Sequence, residues 1–401
     1  MKIAFITDNH WDVHNRFAET VRIHDFIAED AARRGCSLTL LGGDLHERKS
    51  VAEERNSVAS WLVKMARLGP VVGVYGNHEA QGDLELYARL EAENPIDFYD
   101  RPGVYWYAGI AIACLPWPRP AHLLAELGPV SQEAGNQAAT DALRAILRGL
   151  GDEMDASGVD GRGPRSRVFL GHVMARGSLT STGQEMLGMP LELGLEDLAL
   201  VRADAYLLGH IHLGAGNEWQ IGDSPALYGG SPRRCTFGEP EVKSYTVLEF
   251  EDGPEGRLVS WERVSTPATK MAHLDSEWFD EHVGLPGDVI VPAGLSRDWS
   301  PEEVVGAEVR LRYRVDADHR DAARRAAQEE ADELRGAGAA SVKVEEQVIA
   351  TTRARTPEVA RAVTLADKLD ALWSARRDVP DPVRRDALVA KLGELESSAG
   401  T

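Results

Sequence analysis

The sequence predicts an α/β fold, and three observations predict it. Apolar strand-like runs alternate with helix-spaced stretches over the first 115 residues. Short β-segments dominate from Arg167 to about residue 265. Hydrophobic content of 43% and charged content of 27% are those of an ordinary globular chain. At 401 residues the chain exceeds one ordinary core, so two or three domains are expected.

Each element has its own signal. "KIAFITD" reads as a strand at the N-terminus. Phe17 to Arg34 carries apolar residues at helical spacing and stops at Gly35, a residue suited to the left-handed helix cap. "SLTLLGGD" is the second strand, followed by a helix through Val58, Trp61, Leu62 and Met65. "PVVGVYGNHE" is the third strand and "GIAIACLPW" the fourth. Residues 121–165 read as a helix that loosens into "GDEMDASGVDGRGPRSR", an exposed connection rich in Gly, Asp and Ser. Strands return at "RVFLGHVM" and "AYLLGHIHLG"; then "PALYGGSPRRCTFGE", "SYTVLEFED" and "RLVSWERV" finish the sheets.

Near residue 265 the pattern changes. "GAEVRLRYRVD", a charged Ala-rich helix from Asp318 to Arg335, and "ASVKVEEQVIA" form a β-α-β unit. Two amphipathic helices follow. The first has Thr356 as N-cap, Pro357 in its first turn, and an apolar stripe of Val359, Val363, Leu369, Leu372 and Trp373. The second carries Val383, Leu388, Leu392 and Leu395. The expected domains are therefore 1–265, 266–350 and 351–401.

Bulk properties exclude some classes. No apolar run approaches the roughly 20 residues of a membrane span, and "MKIAFITDNH" opens as a strand with no signal-peptide pattern. Cys36, Cys114 and Cys235 are too few and too scattered for a disulfide framework or a zinc finger, so a cytoplasmic location is expected. A formal charge of −20 opposes broad adhesion to nucleic acid or anionic membrane, yet permits a metal-dressed site that handles phosphate locally.

The informative residues stand at the strand ends. "TDNH" supplies Asp8 and His10, "LLGGD" Asp44, "YGNHE" Asn77 and His78, "FLGH" His172, and "GHIH" His210 and His212. In open α/β sheets ligands bind at the carboxyl ends of the strands, so five strands deliver oxygen and nitrogen donors to one rim. Residues two apart on an extended segment face the same side, so His210 and His212 leave their strand together. Imidazole, carboxylate and amide oxygen suit Mn²⁺, Fe or Zn²⁺, and no cysteine joins the set.

This ordered set resembles the calcineurin-like metallophosphoesterases, whose pattern D-x-H, G-D, G-N-H-[DE], G-H, G-H-x-H is complete here. The resemblance implies a four-layer α/β sandwich. It also implies two divalent ions, Mn first, with Fe, Zn or Mg as alternatives. Asp8, His10 and His212 would hold one ion, Asn77, His172 and His210 the other, and Asp44 both. His78 would assist departure of the leaving oxygen.

Further stretches resemble one branch, the SbcD-type DNA nucleases: "YGGSPRRCTFGEPEVKSYTVLEF", "TSTGQEM" after "GHVMARGS", a capping α+β unit after 265, and terminal helices of the kind that grip a coiled-coil ATPase of the SbcC type. The implied activity is hydrolysis of DNA phosphodiesters by a homodimer working with that ATPase, away from membranes. Arg233 and Arg234 are candidate phosphate contacts, as are Arg48 and Lys49, and Trp11 is a candidate for base stacking; a solvated turn and a buried aromatic are the plainer readings.

Three residues depart from the pattern. Trp11 and Asp12 follow the first motif where relatives carry Leu-Gly, and Glu47 stands three residues after Asp44, where some relatives carry a histidine tied to exonuclease action. Rival readings are a phosphoprotein or small-molecule phosphatase or phosphodiesterase, which "GDLHER" resembles, and a non-catalytic scaffold.

Overall fold

The computed structural model describes residues 1–80, 82–119, 123, 131–156, 164–186, 191–251, 256–279, 282–285, 289–291, 294–296, 298–349, 364–376 and 381–399. The chain divides into two units. The first comprises Met1–Leu274, Trp299–Leu311 and Ala331–Lys343, and the second Asp275–Asp298, Arg312–Glu330 and Val344–Thr401.

The first unit is built on two six-stranded sheets. β1 (Lys2–Ile6), β2 (Cys36–Leu41), β3 (Val71–Val74) and β4 (Ile96–Tyr99) are parallel neighbours in that order. β11 (Ser244–Phe250) pairs antiparallel with β1, and β12 (Leu258–Ser265) pairs antiparallel with β11 to close that sheet. The second sheet runs β5 (Gly103–Tyr107), β6 (Ile110–Leu115), β7 (Ser166–His172), β8 (Ala205–Gly209), β10 (Ser224–Tyr228), β9 (Glu218–Ile221), with β6, β7, β8 and β10 parallel.

The strand "GIAIACLPW" is thus the sixth strand and not the fourth. "IDFY" and "GVYWY" form β4 and β5, which the sequence reading passes over; their residues are mostly half-buried and show no clean alternation.

Period-2 alternation explains the layering. Ile3 and Phe5 of β1, Leu38 and Leu40 of β2, and Val72 and Val74 of β3 pack in one core with Ile112, Cys114, Val168, Leu170, Ala205 and Leu207 of the second sheet. Ala4, Ile6 and Leu41 face the other way, onto α1 (Phe17–Arg34) and α2 (Ala52–Ala66), through Ile23, Ile27, Val58, Trp61 and Leu62. On the far side α3 (Gln132–Ala156) lays Leu143, Leu147, Leu150 and Met154 on Ala113, Phe169, Tyr206 and Leu208. These layers are helix, sheet, sheet, helix: the expected four-layer α/β sandwich. Helix α1 ends at Gly35, whose φ of 74° accepts the left-handed cap.

Inside α1, His24 is fully buried, its ring 4.4 Å from Trp11 and 4.8 Å from Trp61. Its Nδ1–H donates to Thr20 O at 2.7 Å, and the Asn9 side-chain amide lies 2.7 Å from Nε2. Asn9 Nδ2 is otherwise unpartnered, so turning this amide lets it donate to Nε2 and satisfies both groups. Burial lowers the His24 pKa to about 3. The unfolded chain therefore binds the extra proton first, and stability present above about pH 6.5 is lost as pH falls toward 3. We expect urea midpoints of metal-free protein to fall more steeply below pH 6.5 for wild type than for His24→Gln; parallel profiles would refute this.

After β12 come β13 (Met271–Phe279), β14 (His282–Leu285), β15 (Val289–Val291), β16 (Gly294–Leu295), α4 (Pro301–Val304), β17 (Glu308–Asp316), α5 (Arg320–Gly336) and β18 (Ser341–Ile349). Strands β16, β13, β17 and β18 form a sheet in that order. The expected β-α-β unit corresponds to β17, α5 and β18; β13 to β16 were not foreseen. Within the second unit Arg314 pairs with Glu277 at 3.0 Å and Arg320 with Glu346 at 2.8 Å. Its terminal helices are α6 (Leu365–Arg376) and α7 (Pro382–Ala399). Thr356, Pro357, Val359 and Val363 lie outside the described residues. No helix among the described residues is long and apolar enough to cross a membrane.

Candidate metal centre

Five parallel strands of the first unit run out into the predicted residues. β1 leads to Asp8 and His10, β2 to Asp44, β3 to Asn77 and His78, β7 ends on His172, and β8 leads to His210 and His212. The rim is shared by the two sheets of the sandwich: β1 to β3 belong to the first and β7 and β8 to the second.

Backbone hydrogen bonds carry the pairing of β1 and β2 past their ends: Asp8 N to Gly43 O, His10 N to Asp44 O and Trp11 N to Leu45 O, each at 3.0 Å. Asp8, His10, Asp44 and His210 all adopt positive φ, at 52°, 47°, 49° and 106°. Each such residue costs on the order of 1–3 kcal/mol, and strain of this kind collects at functional sites. Gly43, at φ 96°, sits where a Cβ would come 2.4 Å from His172 Nδ1, and a Cβ on Gly76 would come 2.0 Å from Asp44 Oδ1. The bend at His210 overturns the expectation that both imidazoles leave β8 on one side. They part toward different neighbours.

Donor atoms gather in two main groups, each within 4.8 Å internally: Asp8, His10 and His212; and Asp44, His172 and His210. A third group, His10, Asp44 and His78, overlaps both, and a fourth joins His212 to Cys235 and Glu239, so that, against expectation, a cysteine stands beside the set. His172 Nε2 stands 3.3 Å from Asp44 Oδ2 and 3.0 Å from Asn77 Oδ1, while His210 Nδ1 stands 2.9 Å from the same amide oxygen. His10 Nε2 and His212 Nε2 approach to 2.9 Å.

Three of the imidazoles are turned by partners at Nδ1. His172 Nδ1–H donates to Gly42 O at 2.7 Å, His10 Nδ1 pairs with Glu47 Oε2 at 2.8 Å, and His212 Nδ1 faces Glu239 Oε1 at 3.4 Å. Each Nε2 lone pair is thereby left for the interior of the group, where it meets other acceptors. Acceptors this close share either a proton or a cation, and the buried Nε2 of His210 has no hydrogen-bond partner among the described residues. The residues therefore fit a pair of divalent ions held by hard and borderline donors.

Without an ion, the charges in the group balance one another. Burial opposes ionisation of Asp44, but His172, His10 and the His78 amide outweigh it and hold the carboxyl well below its usual range. Burial likewise opposes a charge on His172, yet Asp44 raises its pKa to about 9. His210 is driven down to about 4 by burial and by His172.

Supporting residues went unforeseen. Glu79, 2% exposed, accepts from Gly76 N at 2.6 Å and from Asp44 N and His46 N at 3.1 Å, tying the turns after β2 and β3 together. Its place in "YGNHE" was the available signal. Glu47 makes two contacts, its carboxylate to His10 and its carbonyl accepting from His78 Nδ1–H at 2.5 Å. Carboxylates that orient ligand imidazoles typically contribute about 10–100-fold in metal affinity. Glu47→Gln is expected to weaken metal binding by that factor in calorimetric titration, with the urea midpoint of the metal-free protein unchanged. Wild-type affinity in the variant would remove Glu47 from this role.

Three tentative substrate contacts are corrected. Arg233, 1% exposed, donates to the carbonyls of Asn9, His10 and Asn15 at 3.3, 2.5 and 3.3 Å. Arg234, 7% exposed, donates to the carbonyls of Glu239, Thr269 and Glu241 at 2.9, 2.9 and 2.5 Å. Buried carbonyls need donors, and these guanidiniums supply them to the backbone and not to phosphate. Trp11, 1% exposed, packs with Phe17, His24 and Trp61 and presents no face to a base. Arg48 is engaged by Asp12.

The family described as "Calcineurin-like phosphoesterase" matches residues 1–214. No curated protein matches the chain. Similar solved structures include a candidate 5′-nucleotidase of Staphylococcus aureus in complex with alpha-ketoglutarate, 15% identical, TM-score 0.37, over 66% of this chain. The match spans 53%, about half, of that protein's own length. Another is a dimetal phosphatase of Danio rerio, 10% identical, TM-score 0.36, over 66% of this chain and 98% of the other.

Proposed function

This chain belongs to the calcineurin-like phosphoesterases, and from that we propose that it is a metal-dependent DNA nuclease of the SbcD type, an exonuclease with endonuclease activity in DNA-end processing. The observation that carries the chemistry is one buried carboxylate, Asp44, common to the group with His172 and His210 and the group with His10 and His78. Asp8, His10 and His212 would hold one ion, Asn77, His172 and His210 the other, with Asp44 shared and Mn²⁺ the first candidate. When bound, such a pair supplies positive charge for a phosphate and acidifies water.

The protein's own part is positioning and proton delivery. His78 N donates to Asp44 Oδ1 at 3.0 Å, fixing the turn. Its Nδ1–H is committed to Glu47 O, so Nε2 is the atom that can carry a proton to the leaving oxygen. The side chain is 32% exposed, open to a substrate from outside.

The choice of DNA rests on the likeness of residues 228–239 to the SbcD branch and on the C-terminal region beyond residue 265. Binding of an SbcC-like coiled-coil ATPase is assigned to the terminal helices, where Val383 and Leu388 of α7 are 80% and 42% exposed. Dimer formation would add DNA-binding surface that this acidic chain lacks alone. The test is an Mn²⁺ assay offering linear duplex DNA and a phosphomonoester side by side. Cleavage of the DNA is expected; turnover of the monoester with intact DNA would replace this reading by a phosphatase.

A further inference from the structure

Beside the metal-type donors lies a cavity of about 460 Å³ that no predicted residue lines. Its volume is within the roughly 300–1,000 Å³ of small-molecule sites. Gly76, the residue before Asn77, forms part of the wall. Trp117 forms another part, and its ring lies 4.7 Å from that of His210 and 5.9 Å from that of His172. The cavity therefore opens beside the group at which a phosphate would be held.

Its lining is apolar below and charged above. Leu115, Leu143 and Ile146 make an aliphatic floor, between β6 and α3. Asp100 and Arg101 stand exposed at the mouth. Arg119 lines it too, with one guanidinium nitrogen donating to Glu79 O. An indole face, an aliphatic floor, a carboxylate able to accept from ring N–H groups and arginines able to meet neighbouring phosphates form one complementary set. A flat heteroaromatic ring carried on a phosphorylated sugar fits it; a phosphoserine side chain has nothing to fill it.

We propose that this cavity receives the base of the terminal nucleotide whose phosphate is held at the metal centre, with Trp117 as the stacking surface. The inference rests on the phosphoester reading above and adds the group recognised beside the phosphate. Stacking of this kind tolerates any base, so it would position a strand end without reading sequence.

The test is binding to the full chain with Mn²⁺ by calorimetry, using non-hydrolysable phosphonates. 2′-Deoxyadenosine 5′-methylenephosphonate is expected to bind at least about 10-fold tighter than the matching 2-deoxyribose phosphonate lacking the base, consistent with one stacked base. Ile146→Trp, which fills the floor from α3, should erase that advantage and leave the sugar phosphonate's affinity unchanged. Equal wild-type affinity for the two phosphonates would overturn the base pocket while leaving the phosphoester reading intact; this comparison needs no variant. Failure of both to bind would overturn the parent reading and the pocket with it. A short single strand ending in the same phosphonate should bind tighter still, whereas parity with the mononucleotide would reassign the pocket to free nucleotides and overturn the strand-end assignment.

Discussion

Asp44→Asn is expected to lower phosphodiester turnover by about 10³-fold or more and to strip metal from a protein that remains folded. The magnitude follows from the place of this carboxylate, whose oxygen lies 3.3 Å from His172, 3.9 Å from His10 and 4.0 Å from His78. Among the described residues it is the one acidic group common to two of the donor groups, and single pre-organised electrostatic contacts already contribute about 10²–10³ in rate. The amide keeps the shape and loses the charge that offsets a cation. Elemental analysis of dialysed protein, paired with an assay in excess Mn²⁺, separates the two effects. Full metal content in the variant would show that metal retention does not depend on this carboxylate.

His78→Ala should lower turnover by about 10²–10⁴-fold, the range for loss of a positioned proton donor, with metal content unaltered. Its side chain accounts for this separation: Nδ1 is occupied by a backbone carbonyl, and only the distal nitrogen faces the partly open side. The loss should shrink to less than about 10-fold for an ester with a p-nitrophenyl leaving group, which needs little proton assistance. Equal losses on both substrates would make His78 a structural hydrogen bonder instead.

Much of the first unit could be read from the chain because its signals are local. Helix α1 spans the predicted Phe17–Arg34, since apolar spacing and the Gly35 cap both act within a few residues. The donor motifs were legible for the same reason: each sits directly after a strand. What escaped was long-range. β4 and β5 are short and half-buried and carry no alternation, so nothing local marks them. The division of the rim between two sheets depends on where β5 begins a new ladder, a matter of partners and not of composition. "SPRR" offered phosphate contacts or a solvated turn, yet Arg233 finds its carbonyls more than 200 residues away in sequence. Glu47 and Glu239 were equally opaque, because their roles exist only once His10 and His212 are beside them.

The split of the donor residues between two ladders also sets an order of events for the newborn chain. The stretch containing Asp8, Asp44 and Asn77 leaves the ribosome well before β8, so no complete pair of groups exists until the second ladder has docked on the first. Filling of both sites would then close the process. An ion that binds only the finished arrangement acts as a latch, slowing the return to the unfolded chain in proportion to its free concentration.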